Sequence, residues 1–349
     1  MTAGKGDTRS VGARPEQRIT IDDVARAAGV SKGTVSRVMN GHNWVSDTTR
    51  TAVMEAMRST GYVANATARS LAIGRTESVA LILGAPASQL FEDPNYALIL
   101  QVITDELASA DYSLVFMTGA RPADRDRLAR FLRGGHVDGV VFMSAGEPRS
   151  DDLVRLLKAH PVPVMVIGRP FPDGDPLPYV AADEVAGGRA LGEYFVVRDY
   201  RRIGVIASHL ESIGARLRIR AFTETVGARS TEDWLIEAAD YSAEAGRAAM
   251  HALVARTKAL DAVFASSDIL AAGAIEAARE LSLRVPEDLA VAGFDDSVIA
   301  RRTDPQLTTV RQDMQAVART LVTQLLAAIG GGDITSEVVP VELIVRESA

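Results

Sequence analysis

The chain opens, after a polar start, on a short segment of helical spacing and continues as a long alternation of apolar runs and amphipathic stretches. Apolar residues at 21, 24, 25 and 28 recur at a helical period, which predicts a helix beginning after Thr20. Thr20 can cap it, with Asp23 three positions on as an imperfect capping box. Gly29 suits the left-handed position that ends such a helix, and Ser31 is a good N-cap for the next, whose apolar stripe is Val35 and Val38. Asn40-Gly41 closes that second helix. A further cap at Val45 to Arg50 predicts a third, with Val53, Met54, Ala56 and Met57 apolar and Gly61 at its end. Two short helices joined by a tight glycine-containing turn form a helix-turn-helix.

From Glu77 the period changes. Apolar runs of strand length at 78–84, 113–119, 137–146 and 162–169 alternate with helical patterns at 95–112, 124–135 and 150–160. A second series follows, with strands at 201–208, 234–239, 260–268 and 289–296 between helices at 215–227, 242–257 and 269–281. Buried strands alternating with helices predict parallel sheets covered on both faces. Two such series predict two doubly wound subdomains, with ligands at strand C-terminal ends in the crevice between them.

Composition narrows the chemistry. With 349 residues, 47% of them hydrophobic, the chain can build two or three packed units. It has no cysteine, so disulfides, thiolate metal sites and cysteine nucleophiles are excluded. Residues 1–18 are polar and lack the apolar core of a secretion signal, and no apolar run reaches membrane-spanning length. They read as a disordered tail, and the expected location is the cytoplasm, with no membrane partner. The net charge of −7 conceals an asymmetry: residues 1–75 hold 11 Lys and Arg against 6 Asp and Glu, the remainder 27 against 39. A basic front on an acidic body places any polyanionic partner at the front, although a merely solvated tail has the same composition.

One motif points elsewhere. Gly29-Val30-Ser31-Lys32-Gly33 is formally G-x-S-x-G, the nucleophile elbow of hydrolases. An elbow needs a strand entering and a helix leaving, whereas this turn joins two helices. The five histidines (42, 136, 160, 209 and 251) form no HExxH or other close ligand pair, and there is no Walker A loop or GxGxxG. Ser31 is therefore read as a cap and the chain as a non-enzyme, with no cofactor and no metal.

The stretches ITIDDVARAAGVSKGTVSRVMNG, VSDTTR, GY.AN..ARSL and GRT, spanning 19–76, resemble the DNA-binding head of the lactose repressor (LacI/GalR) family. The resemblance implies that Lys32, Gly33 and Arg37 read base edges in the major groove, and that Ser31, Thr34 and Asn40 meet phosphates. Arginine can fork onto guanine O6 and N7, while phosphate contacts fix register without specifying sequence. It further implies a hinge helix at 65–72, including Asn65 and Ala68, with Leu71 as a minor-groove wedge. About eight residues are too few for a stable isolated helix, so the hinge is expected to order only in pairs on DNA. Ala64 stands where many relatives carry proline.

The landmarks D..FASSD..AAGA, VP.DLAVAGFDD and DP.LTTVRQ extend the resemblance over nearly the whole chain. They imply a fold of a small all-α head and hinge followed by a periplasmic-binding-protein-like α/β domain. The implied plan is a head at 19–64, hinge and linker at 65–76, and an effector domain at 77–349. One subdomain would hold 77–180 and 308–335, the other 181–307 and 336–349. By the same resemblance Arg218 and Asp295 clamp sugar hydroxyls, Tyr241 stacks on a sugar face, and Tyr96, Asp183, Ser267 and Asp268 are further effector positions. A helix cap at Asp295, a surface ion pair at Arg218 and a core aromatic at Tyr241 are the alternatives. Ser267 departs from the lactose repressor, which has a polar amide there. The implied protein is a homodimeric repressor on a palindromic double-stranded operator, released by a sugar or oligosaccharide inducer. The wording around EDPNY, GRP and FDDSVIARRTDP resembles regulators of disaccharide (cellobiose-type) or plant-glucan use. The family's tetramers add a leucine-repeat tail, and VELIVRESA ends this chain, hence the dimer. A nucleobase corepressor, a phosphoprotein partner and a solute-binding protein are the other readings.

Overall fold

A computed structural model describes residues 19–39, 44–62, 74–85, 87, 90, 94–143, 151–169, 177–208, 210, 212–257 and 259–349. The chain divides into two compact units, Met1–Thr76 and Glu77–Ala349.

The first unit holds α1 (Ile21–Ala28), α2 (Lys32–Met39) and α3 (Asp47–Thr60). The Asp23 carboxylate accepts from the Thr20 backbone N–H at 2.9 Å and from its hydroxyl at 2.7 Å, closing the box at the start of α1. Those bonds hold the Asp23 carboxyl below its ordinary range. Gly29 ends α1 at φ 67°, and the Thr34 N–H donates to Ser31 Oγ at 3.1 Å, so Ser31 caps α2. Ser46 caps α3 through the Thr49 N–H at 3.3 Å. Val24, Ala25, Val35, Val38, Val53 and Ala56 form the core among these helices. Among the described residues of the head this is the one apolar cluster, and the caps, worth about 1 kcal/mol each, add to it.

The second unit contains two parallel sheets. The first has six strands in the order β11-β5-β4-β3-β1-β2: β1 (Ser78–Leu83), β2 (Ser113–Thr118), β3 (Gly139–Met143), β4 (Val164–Ile167), β5 (Tyr179–Ala182) and β11 (Glu337–Val339). Its side chains alternate between two cores. Val79, Leu81 and Leu83 of β1 face α4 (Pro94–Ser109) and α11 (Met314–Ile329), while Ala80 and Ile82 face α5 (Pro122–Arg133) and α6 (Asp151–Lys158). Both faces of β1, β3 and β4 are covered, which is why these strands read as unbroken apolar runs.

The second sheet has the order β7-β6-β8-β9: β6 (Ile203–Ala207), β7 (Leu235–Glu237), β8 (Ala262–Ala265) and β9 (Ala290–Ala292). On one side lie α7 (Glu184–Val197) and α8 (Ile213–Val226), on the other α9 (Ala243–Arg256) and α10 (Asp268–Glu280). An antiparallel pair, β10 (Thr309–Gln312) and β12 (Val341–Ile344), attaches through bridges Ala292–Thr308 and Asp295–Arg311. The chain thus passes between the sheets three times: after β5 into α7, after β10 into α11, and from β11 into β12.

Helices α7 and α8 approach closely because Gly188 has no side chain; a Cβ there would collide with the Arg218 carbonyl oxygen. Gly188→Ala gains roughly 1 kcal/mol of helix propensity but must push two backbones apart. Overpacking of about 1–3 kcal/mol is expected to win. Urea denaturation reads the sign, and a stabilised variant would show that the helices part freely.

Among the described residues, no helix is long and apolar enough to cross a membrane, and no group of three His, Asp or Glu side chains is placed to hold a metal ion.

Candidate functional site

In the head, the expected base-reading residues lie on α2, Lys32 and Gly33 at its start and Arg37 in its last turn. Lys32 and Arg37 are exposed, as are Ser31 and Gly33. Each side chain already has a neighbour. Lys32 Nζ pairs with Asp22 Oδ2 of α1 at 3.1 Å. The Thr34 hydroxyl shares a hydrogen bond with Ser31 Oγ at 2.9 Å. The Arg37 guanidinium sits 4.7 Å from the centroid of the Trp44 ring. Asn40, Asn65, Ala68 and Leu71, and with them the hinge helix expected at 65–72, lie outside the described residues.

In the second unit, a cavity of about 180 Å³ opens at the C-terminal ends of the strands of both sheets. A side lobe of about 90 Å³ shares its Glu184, Ser212, Arg218 and Tyr241 wall. Tyr96 of α4 and the apolar Met143 and Ile167 come from the first sheet's side, and Arg218, Tyr241, Ser267 and Asp295 from the second's. One wall is therefore polar and charged, the other aromatic and aliphatic.

Arg218 organises the polar wall. Its Nε lies 2.7 Å from Glu184 Oε2, and its Nη2 donates to Glu184 Oε1 at 2.9 Å. Nη1 donates to the Ser266 carbonyl at 2.7 Å and stands 3.6 Å from Asp295 Oδ1. The guanidinium stacks on Phe294, 4.1 Å from the ring centroid. Burial opposes its charge, but the Glu184 and Asp295 carboxylates outweigh that and hold its pKa above the ordinary arginine value. A buried, paired and stacked guanidinium is a fixed object, not a surface ion pair.

Asp295 faces Arg218 from a turn under backbone strain, with φ 118° at Asp295 and 51° at Asp296. Such angles persist where the surroundings over-determine them. Gln312 Nε2 donates to Asp295 Oδ1 at 2.5 Å, and the Asp295 N–H donates to the Val310 carbonyl at 2.8 Å. Asp296, turned inward, accepts from Arg311 Nε at 2.8 Å and also bonds Arg346. Tyr241 donates to the Ser208 carbonyl at 3.1 Å, which fixes its ring at the cleft edge. Ser267 caps α10 through the Leu270 N–H at 3.4 Å.

Two expected positions are placed differently. Asp183 does not line the cleft; its carboxylate caps α7, accepting from the Ala186 N–H at 3.0 Å. Asp268 lies beneath the wall, almost fully buried, where Oδ1 accepts from the Thr309 hydroxyl at 2.6 Å and Oδ2 from the Ser297 N–H at 2.7 Å. Both carboxylates are occupied in holding the strand-end turns. Conversely, Glu184 and Gln312 line the cleft without having been anticipated. The available signal for Glu184 was the need of a buried arginine for an acid, met one residue after Asp183.

Burial pushes the Asp268 carboxyl up to about 7, against the Thr309 and Ser297 hydrogen bonds and with help from nearby Asp296. The fold then binds a proton that the unfolded chain, at about 3.8, releases. Stability should fall as pH rises from about 4 to 7 and level off above. Asp268→Asn, which keeps an acceptor and a donor but cannot ionise, should gain melting temperature on the wild type across that window. Parallel melting profiles would show that Asp268 is charged in the fold.

The helix-turn-helix head and the two-sheet domain with its cleft, taken with the matches that follow, are those of a DNA-binding transcriptional regulator. Residues 20–65 match bacterial regulatory proteins of the lacI family, and residues 193–349 a periplasmic binding protein-like domain. The chain belongs to the LacI family. It is 36% identical over 340 residues to the HTH-type transcriptional regulator CelR of Thermobifida fusca, covering 95% of this chain and 98% of that protein. It is 33% identical over 336 residues to the HTH-type transcriptional repressor PurR of Serratia proteamaculans (strain 568), covering 94% and 96%. Among solved structures, a CelR–cellobiose complex has a TM-score of 0.73 at 35% identity, covering 95% of this chain and all of that one. A lac repressor dimer bound to operator and the anti-inducer ONPF has a TM-score of 0.82 at 26% identity, covering 95% and 99%.

Proposed function

We propose that the protein is a cytoplasmic homodimer, without enzymatic activity, that represses carbohydrate-use genes from a palindromic operator and releases it on binding a sugar or oligosaccharide. The observation that carries the effector is the cleft itself. A fixed guanidinium and a carboxylate stand on one wall with tyrosines at its edges. Ring hydroxyls both donate and accept, so they suit an Arg–Asp pair, and the apolar faces of a pyranose suit aromatic walls. The identity with CelR, whose structure was solved with cellobiose, supports the same class. Lys32, Gly33 and Arg37 are proposed to read bases, with Ser31, Thr34 and Asn40 on phosphates and Asn65, Ala68 and Leu71 in the hinge.

The test is a melting-temperature screen of the full chain against mono- and disaccharides, cellobiose included, followed by operator binding with any hit. A ligand at 100 times its Kd stabilises by about 2.7 kcal/mol. A sugar that both stabilises the protein and weakens its hold on operator DNA is the expected result. Stabilisation by nucleobases alone, with tighter DNA binding, would replace the sugar by a corepressor and reverse the sign of the coupling. The relatives described as PurR make that the arm to include.

A further inference from the structure

We propose that Trp44 is a positioning residue for sequence reading, holding the Arg37 guanidinium over the start of α2 so that it meets a guanine edge already aimed. The inference rests on the DNA-binding reading of the head and deepens it. Three observations point to the pair. Trp44 is 69% exposed, a large apolar ring left in water and outside the cluster that packs the three helices. The Arg37 guanidinium is 4.7 Å from that ring's centroid. A Cβ at Gly33 would stand 3.6 Å from Arg37 Nη2, an ordinary contact distance, so the guanidinium rests alongside the first turn of the helix.

The backbone fixes the ring from its C-terminal side. Val45 packs on the core of the head, and Ser46 is the cap of α3. Trp44 is thus carried on an anchored step between α2 and α3, while Arg37 projects from the exposed face of α2.

The chemistry of the two groups makes the arrangement useful. A guanidinium stacks through its face and donates hydrogen bonds through its edge, so the tryptophan contact leaves the fork free for the paired acceptors O6 and N7 of guanine. A long, exposed arginine otherwise has many rotamers and loses them on binding. Restricting it beforehand moves that cost out of the binding step.

The experiment uses the full-length protein and a random-sequence duplex DNA library at fixed salt. Sites are selected by wild type, Arg37→Ala, Trp44→Ala and Trp44→Phe, with melting temperatures recorded alongside. Wild type should enrich a palindrome with guanine strongly preferred at one position of each half-site. Arg37→Ala should lose that preference. Trp44→Ala should relax it at the same position by about 2- to 5-fold, the equivalent of an exposed cation–π contact, with other positions and the melting temperature unchanged. Trp44→Phe, which keeps a ring face, should retain it. A Trp44→Ala protein with wild-type discrimination overturns the proposal. So does relaxation at a different position, or a uniform loss at every position. A wild type that enriches no sequence removes the DNA reading and this inference together.

Discussion

Arg218→Ala is expected to lower stability by about 3–5 kcal/mol, the loss that follows when one partner of a buried ion pair is removed. Arg218 is only 8% exposed, and its guanidinium is the partner of the Glu184 carboxylate, itself buried, and of the Ser266 carbonyl. Alanine would leave an acid and a carbonyl in a low-dielectric wall and remove the face that stacks on Phe294. Arg218→Lys should recover little, because one ammonium cannot reproduce a planar fork that bonds Glu184 and the Ser266 carbonyl at once. Combining Arg218→Ala with Glu184→Gln should restore part of the loss by removing the stranded charge. Urea denaturation of the two single variants and the double variant measures the coupling. A loss below about 1 kcal/mol would identify a solvated surface pair instead. The practical consequence is that an effector assay on Arg218→Ala mixes recognition with folding, so it is read beside the stability of the same variant.

Asp295→Ala is expected to leave operator affinity near wild type without effector and to abolish release by the sugar. The typical coupling at stake is about 1–3 kcal/mol, or roughly 5- to 150-fold in operator affinity. The carboxylate lines the cleft, bonded to Gln312 and 3.6 Å from Arg218. On the proposed reading, a ring hydroxyl reaching Asp295 and Arg218 would make charge-assisted bonds with both. An effector shifts DNA affinity only by binding two conformations unequally, so losing one of the two proposed charged partners would remove much of that inequality. Linkage also requires operator DNA to weaken the sugar by the same factor in wild type. Fluorescence anisotropy with labelled operator, with and without the sugar found by melting, reads both quantities. A variant that keeps full sugar affinity and full release would place the effector elsewhere.

What the sequence disclosed and what it withheld divide along physical lines. The head was readable residue by residue because its signals are local: Thr20, Gly29, Ser31, Ser46 and Gly61 act within one turn of themselves. The eight apolar runs were equally plain, most of them because strands such as β1, β3, β6 and β8, covered on both faces, have no polar positions to blur them. Helix α7 was hidden by Gly187, Gly188 and Gly192, which look like breakers. They are there because Phe294 and helix α8 press against those positions, a tertiary reason that no local propensity contains. Strands β10, β11 and β12 each carry a charged residue (Arg311, Glu337 and Glu342) that breaks the apolar run, and β5 is four residues held between Pro178 and Asp183. In the cleft, Arg218 and Asp295 stand out as charges in or beside apolar elements. Asp183 and Asp268 stand out for the same reason, and only the partners of each carboxylate, Ala186, Thr309 and Ser297, show that they act behind the wall. Glu184 and Gln312 carried no local mark, because what distinguishes them is the arginine and aspartate they reach across the fold.

The three passages of the chain between the sheets also bear on leverage. Glu184 opens α7 immediately after β5, and Gln312 ends β10 immediately before α11, so two of the cleft's polar groups stand on the connecting spans themselves. When one body turns against another about such spans, an atom moves in proportion to its distance from the axle. Groups on the axle travel least, and the far rims of the sheets travel most. A molecule gripped there can stay in close contact through the whole swing while a small torque is delivered to remote surfaces as a large displacement. Substitutions at Glu184 or Gln312 should accordingly alter the stiffness of the joint together with its grip. Those at Tyr96 or Tyr241, on the jaws, should alter the grip alone.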